Sequence, residues 1–163
     1  MAVKAAAEID GPVYIRLSRP GTDDVTGDST PFVPGKAVVL RDGSDAAIFA
    51  TGLMVTRALK AADILAAEGI RAAVVDVHTI KPLDEECILS YNGKVRAIVT
   101  AEEHFITGGL GSAVAEVIAG KGGAKFDRVG VEDKFGQSGA PSVLFEKYCL
   151  TAENIAAKVR ALI

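Results

Sequence analysis

The sequence predicts an α/β protein, a three-layer α/β/α sandwich around a mostly parallel sheet of about five strands with one antiparallel edge strand. Three observations lead there. From Lys36 onward, short apolar runs alternate with amphipathic stretches of helical period. Several of the short runs are apolar at nearly every position rather than every second one, as in strands covered on both faces. The first of them, KAVVLR, is joined to the next by only Asp42-Gly43-Ser44. A parallel crossover takes about a dozen residues, so this run is placed as the antiparallel edge.

Taken in order, the first 19 residues give an Ala-rich helical piece and then the run VYIRLSR, in which Val13, Ile15 and Leu17 alternate with Tyr14, Arg16 and Ser18, the pattern of a strand. Residues 20–35, PGTDDVTGDSTPFVPG, have the Pro, Gly, Ser, Thr and Asp content of an exposed connector. This divides the chain into 1–19, a linker over 20–35, and a domain over 36–163. In the domain, KAVVLR and DAAIFAT are strands. A helix follows in which Val55, Leu59, Ala62, Leu65 and Ala66 share a face and Gly69 marks the end. IRAAVVDV is a strand, and Pro82 and Asp84 open a helix with acids in its first turn. VRAIVT is a strand and GSAVAEVIAG a helix with Val114, Val117 and Ile118 on one stripe. FDRVGVE is a strand and SVLFEKYC a short helix. The last helix is capped by Thr151 and turns Ile155, Val159 and Leu162 inward.

Composition narrows the function. The formal charge is -3, and Lys and Arg are scattered, so no basic stripe for nucleic acid exists. No window approaches the roughly 18 apolar residues of a membrane span, and the N-terminus lacks the apolar core of a signal peptide. Cys87 and Cys149 lie far apart in apolar runs and read as buried free thiols of a reducing, cytoplasmic setting.

In an open α/β sheet, ligands sit outside the carboxyl ends of the strands, which directs attention to TGLM at 51–54, HTIKPLD at 78–84 and AEEHFITGGLG at 101–111. Two readings of the last loop stand. The backbone amides of Gly108, Gly109 and Gly111 at a helix N-terminus suit a small anion, and Glu102, Glu103 and His104 offer acid and base groups. Alternatively, the glycines allow a tight strand-to-helix turn, with Glu102 bonded to its amides and the three polar residues fixing a loop or a domain interface. As a dinucleotide fingerprint GLGSAV is incomplete, because the final Gly or Ala is missing. His78, His104 and dispersed carboxylates do not have metal-ligand spacing, so no metal site is predicted. No Ser lies in GxSxG and neither Cys has a His nearby in sequence, so no catalytic residue is assigned.

The segments TGLMVTRALKAADILAAEGI, VVDVHTIKPLDEECI, VTAEEHFITGGLGSAVAEVI and VGVEDKFGQSGAPSVLFEKYCLTAENI resemble, in this order, the C-terminal domain of the transketolase family, most nearly its split, two-polypeptide members. GPVYIRLSR resembles the last strand of the pyrimidine-binding domain, so residues 1–19 read as a remnant of it in a truncated or fragmentary chain. The resemblance implies an enzyme of the pentose phosphate pathway that uses thiamine diphosphate and Mg²⁺ to move a two-carbon ketol unit between sugar phosphates. It places the cofactor in the preceding domains. The metal-binding GDG motif and the pyrimidine-domain glutamate are absent from this sequence, so the chain alone is expected to hold no cofactor and to be inactive. The expected partners are an N-terminal transketolase section and a second copy in a homodimer. The resemblance gives Arg19 of the LSR segment to the substrate phosphate; for Arg16, in the same run, an ion pair is expected. The alternatives are a non-catalytic interaction or small-anion-binding module, or the same domain of 1-deoxyxylulose-5-phosphate synthase or a 2-oxoacid dehydrogenase β subunit. EEH before GGLG, and FGQSG, favour transketolase among these.

Overall fold

The computed structural model describes residues 1–27 and 30–163; Asp28 and Ser29, within the predicted connector, lie outside the described residues. The chain opens with α1 (Ala2–Ala7), which has no buried residue and no side-chain cap at Met1. The elements that follow are β1 (Val38–Arg41), β2 (Ala46–Ala50), α2 (Met54–Ala67), β3 (Ala72–Asp76), α3 (Glu85–Asn92), β4 (Ala97–Phe105), α4 (Leu110–Ile118), β5 (Lys125–Val131), α5 (Pro141–Lys147) and α6 (Ala152–Leu162).

The five strands form one sheet in the order β1-β3-β2-β4-β5. β2, β3, β4 and β5 are mutually parallel, and β1 is antiparallel to its neighbour, with Val38 opposite Asp76 and Val39 opposite Val75. That neighbour is β3 and not β2, the next strand in sequence. β3 lies between them, and the turn from β1 passes so close to it that a Cβ on Gly43 would strike the Ala72–Ala73 backbone and come within 2.7 Å of the Arg71 carbonyl oxygen. Only glycine fits that approach.

Alternation along each strand divides the core into two layers. Ala46, Ile48, Ala50, Val74, Val99 and Ala101 face α2 and α6, packing on Met54, Leu65, Ile155 and Val159. Ala47, Phe49, Ala73, Val75 and Ile98 face the other way, onto Ile88 and Tyr91 of α3 and Leu110 and Val114 of α4. The strands therefore read as apolar throughout because both faces are covered. α3 starts as its acids suggest: Asp84 is the N-cap, accepting from the Cys87 amide at 3.2 Å, with Glu85 and Glu86 in the first turn. Thr151 caps α6 by accepting from the Asn154 amide at 3.2 Å.

Four expectations need correction. VYIRLSR is not a strand here: residues 12–18 join no ladder, and Tyr14 and Leu17 are 88% and 82% exposed. Alternation makes a strand only where a neighbour offers ladder hydrogen bonds, and this run pairs with no strand of the sheet. β4 continues through Glu102, Glu103 and His104 to Phe105, residues the sequence assigns to a loop. β5 supplies the partner, with Phe105 opposite Val131 after a register shift that begins beyond Ala101. Ala66 of α2 is exposed, and Ala58 and Ala61 take the buried positions. Cys149 is exposed and Cys87 half-buried. Cys149 holds the left-handed position after α5 at φ 54°, which turns its side chain away from the core.

Candidate functional site

The direction of the crossovers reverses between β2 and β4. The chain leaves β2 through α2 to β3 on one side, and leaves β4 through α4 to β5 on the other. In parallel sheets such a point opens a crevice at the carboxyl ends of the two strands. Here those ends carry Thr51-Gly52 and Glu102-Glu103-His104, and the Thr51 amide closes across by donating to the Ala101 carbonyl at 3.2 Å.

Glu102 is the centre of this region. It is 1% exposed, and its two carboxylate oxygens accept from the Leu110 amide at 2.7 Å and the Gly111 amide at 2.8 Å. Both donors are first-turn amides of α4, which have no partner inside the helix, so the carboxylate meets the positive end of the dipole as an external anion would. Gly109 makes the approach possible: a Cβ there would collide with the Glu102 carboxylate and lie 2.9 Å from His104 Nδ1. Gly108 donates its amide to Ser112 Oγ at 2.8 Å. His104 is exposed, with Nδ1 3.0 Å from the Phe105 carbonyl oxygen, and Glu103 is half-buried. The structure thus brings Glu102, His104 and the glycine turn together, while Glu103 points to the opposite side of the strand.

The 78–84 loop, which the sequence singles out, and the end of β3 before it hold two perturbed groups, of which sequence reasoning named His78 and missed Asp76. His78 stacks on Phe32 of the connector, with centroids 4.3 Å apart, and its Nδ1 lies 2.8 Å from Thr79 Oγ1. Its Nε2 is buried with no partner among the described residues, and burial lowers its pKa. Asp76, two residues earlier on the same side of β3, has its pKa pushed up by burial to about 6. The only trace of Asp76 in the sequence is an acid closing an otherwise apolar strand.

Arg19 is exposed on the irregular N-terminal segment. Two other arginines reach the 101–111 region: Arg128 of β5 donates from NH1 to the Ile106 carbonyl oxygen at 2.8 Å, and Arg16 donates from NH2 to the Glu103 carbonyl oxygen at 3.3 Å, a backbone contact in place of the expected ion pair. A diphosphate with its divalent metal needs free backbone donors and clustered oxygen ligands. The α4 amides already hold Glu102, and among the described residues no group of three His, Cys, Asp or Glu side chains is placed to hold a metal. These residues do not fit that cofactor. Among the described residues no helix is long and apolar enough to cross a membrane.

The architecture and this self-capped turn define a doubly covered, mostly parallel α/β domain whose own carboxylate fills the helix terminus a ligand would use. The chain belongs to the transketolase family: the family described as "Transketolase, C-terminal domain" matches residues 35–155. Over 146 residues it is 49% identical to the 6-deoxy-6-sulfo-D-fructose transketolase subunit SqwH of Clostridium sp. (strain MSTE9), covering 90% of this chain and 45% of that protein. A solved structure described as "Split gene transketolase, inactive beta4 tetramer" superposes with a TM-score of 0.94 at 48% identity, covering 99% of this chain and 53% of that one. The 1-deoxy-D-xylulose-5-phosphate synthase of Heliobacterium modesticaldum (strain ATCC 51547 / Ice1) is 44% identical over 163 residues, covering 98% of this chain and 25% of that enzyme. The chain thus spans about half the length of the transketolase relatives and a quarter of the synthase.

Proposed function

We propose that this chain works as the C-terminal section of a thiamine diphosphate-dependent transketolase. In this reading it supports assembly of an enzyme that transfers a two-carbon ketol unit between sugar phosphates in the cytoplasm, in the pentose phosphate pathway, and it is inactive without the sections that hold the cofactor. The observation that carries the reading is the likeness of nearly the whole chain to a split gene transketolase at almost half identity. The poor fit of the glycine turn to a diphosphate supports a division of labour in which cofactor chemistry belongs to an N-terminal partner. The start of the family match at residue 35 supports reading 36–163 as the domain, 20–35 as its linker and 1–19 as a remnant of the pyrimidine-binding domain. Arg19, exposed on that remnant, is assigned to the substrate phosphate in the assembled enzyme, and Glu103 and His104 to a domain interface. Exposed apolar side chains such as Tyr14, Leu17 and Phe135 support burial against the partner section and a second copy.

The test is turnover with thiamine diphosphate and Mg²⁺, for the chain alone and mixed with an N-terminal section carrying the GDG motif. Ketol transfer only in the mixture is the expected result; turnover by the chain alone would overturn the division of labour. The synthase relative favours a second reading, and formation of 1-deoxyxylulose 5-phosphate in the mixture instead of ketol transfer would select it.

A further inference from the structure

Beyond the glycine turn, strand β5, the loop after it and the facing ends of α5 and α6 enclose a cavity of about 410 Å³. Its charged lining is Arg128 from β5, Lys134 from the loop, Lys147 from α5 and Lys158 from α6, against the carboxylates of Asp127 and Glu132. The chain as a whole has 18 basic and 21 acidic residues, so four cations facing two acids around one cavity reverse its overall balance. Two of the cations are matched: Lys134 lies 2.8 Å from Glu132 and Lys158 2.7 Å from Asp127. The other two meet neutral oxygens, with Lys147 donating to the side-chain amide oxygen of Gln137 and Arg128 donating from NH1 to the Ile106 carbonyl at 2.8 Å. Among the described residues neither has a carboxylate oxygen within 4 Å. The wall is held in shape by Tyr148, whose hydroxyl donates to the Phe135 carbonyl at 2.9 Å, and by Asn154, whose amide donates to the Cys149 carbonyl at 2.8 Å.

We propose that this cavity binds a phosphate dianion, either free or carried by a small metabolite, with Arg128 and Lys147 supplying the two unmatched charges. The charge count suits a dianion, and a guanidinium presents its donors as a planar fork that fits phosphate oxygens. The acidic chain around the cavity favours a small anion over a polyanion. The inference does not depend on the transketolase reading: every side chain it uses belongs to this chain, and although Arg128 packs against Gly111 of the α4 turn, the anion would meet the side chains of Arg128 and Lys147 and not the turn amides that Glu102 holds.

The experiment is an amide-resolved NMR titration of the full chain with inorganic phosphate at ionic strength held constant with chloride, repeated with glycerol 3-phosphate. Saturable shifts at Arg128, Lys134, Tyr148 and Asn154 are expected, with a dissociation constant on the order of 1 mM. Lys147→Gln should weaken binding about fivefold to tenfold, while Lys60→Gln, on α2 outside the cavity, should leave it unchanged. Tighter binding of glycerol 3-phosphate would assign a metabolite phosphate, and equal or weaker binding the free ion; both support the site. Shifts that do not saturate, shifts confined to the 108–111 turn, or unaltered binding by the Lys147 variant would overturn it.

Discussion

Residues 1–35 and the domain from 36 onward use similar apolar side chains, and only the domain buries them. No described residue before Gly43 is buried, whereas β2 is buried along its whole length. VYIRLSR alternates at least as cleanly as KAVVLR, but KAVVLR finds the edge of β3 and VYIRLSR finds no strand to pair with. A strand pattern is a statement about one face; the ladder requires a second chain segment in register. The contact of the leader with the domain is made by isolated side chains instead: Arg16 on the Glu103 carbonyl, Phe32 on His78 and Val25 against the α2/α6 core layer.

The sharpest way to break that contrast lies inside the domain. Glu102→Ala leaves two first-turn amides of α4 buried without an acceptor, and should cost about 3 kcal/mol of unfolding free energy by urea titration. A loss under about 1 kcal/mol would mean that the turn is held by packing and not by the carboxylate. A smaller effect is expected at Asp76. Its pKa is raised to about 6 in the folded chain, so the folded state binds the proton more tightly than the unfolded one. Stability should therefore fall as pH rises from about 4 to about 6 and level off above that. Asp76→Asn should remove this slope and raise stability near neutral pH by about 2 kcal/mol, read from melts across the pH series. The smallest effect belongs to the leader. Removing residues 1–19 should change the unfolding free energy by about 0.5 kcal/mol or less, since it uncovers almost no core, while abolishing complementation with an N-terminal section.

The sheet and its helices were legible because their signals are local or periodic: paired apolar faces in the strands, Asp84 and Thr151 as caps, a turn too short for a parallel crossover. The hydrogen bonds from the glycine turn to Glu102 could also be anticipated, because the first amides of a helix lack partners within it and an acid just before a glycine turn can accept from them. What escaped depends on residues distant in sequence. β4 runs on to Phe105 because Val131 lies beside it, and Asp76 is perturbed by burial that no window of its own neighbours reveals. Cys149 reads as core from its apolar neighbours, but its backbone sits where a helix usually places glycine.

The insertion of β3 between the first two strands has a kinetic consequence. Asp42-Gly43 is a strong signal for a tight hairpin, and a β1–β2 hairpin is the pairing nearest to hand when those residues leave the ribosome. The native ladder needs a template that is synthesised only after the whole of α2, so β1 must wait for it or let go of a premature partner. The first strand of the domain thus locks only after the third is made, and the nascent domain carries one open edge through that interval.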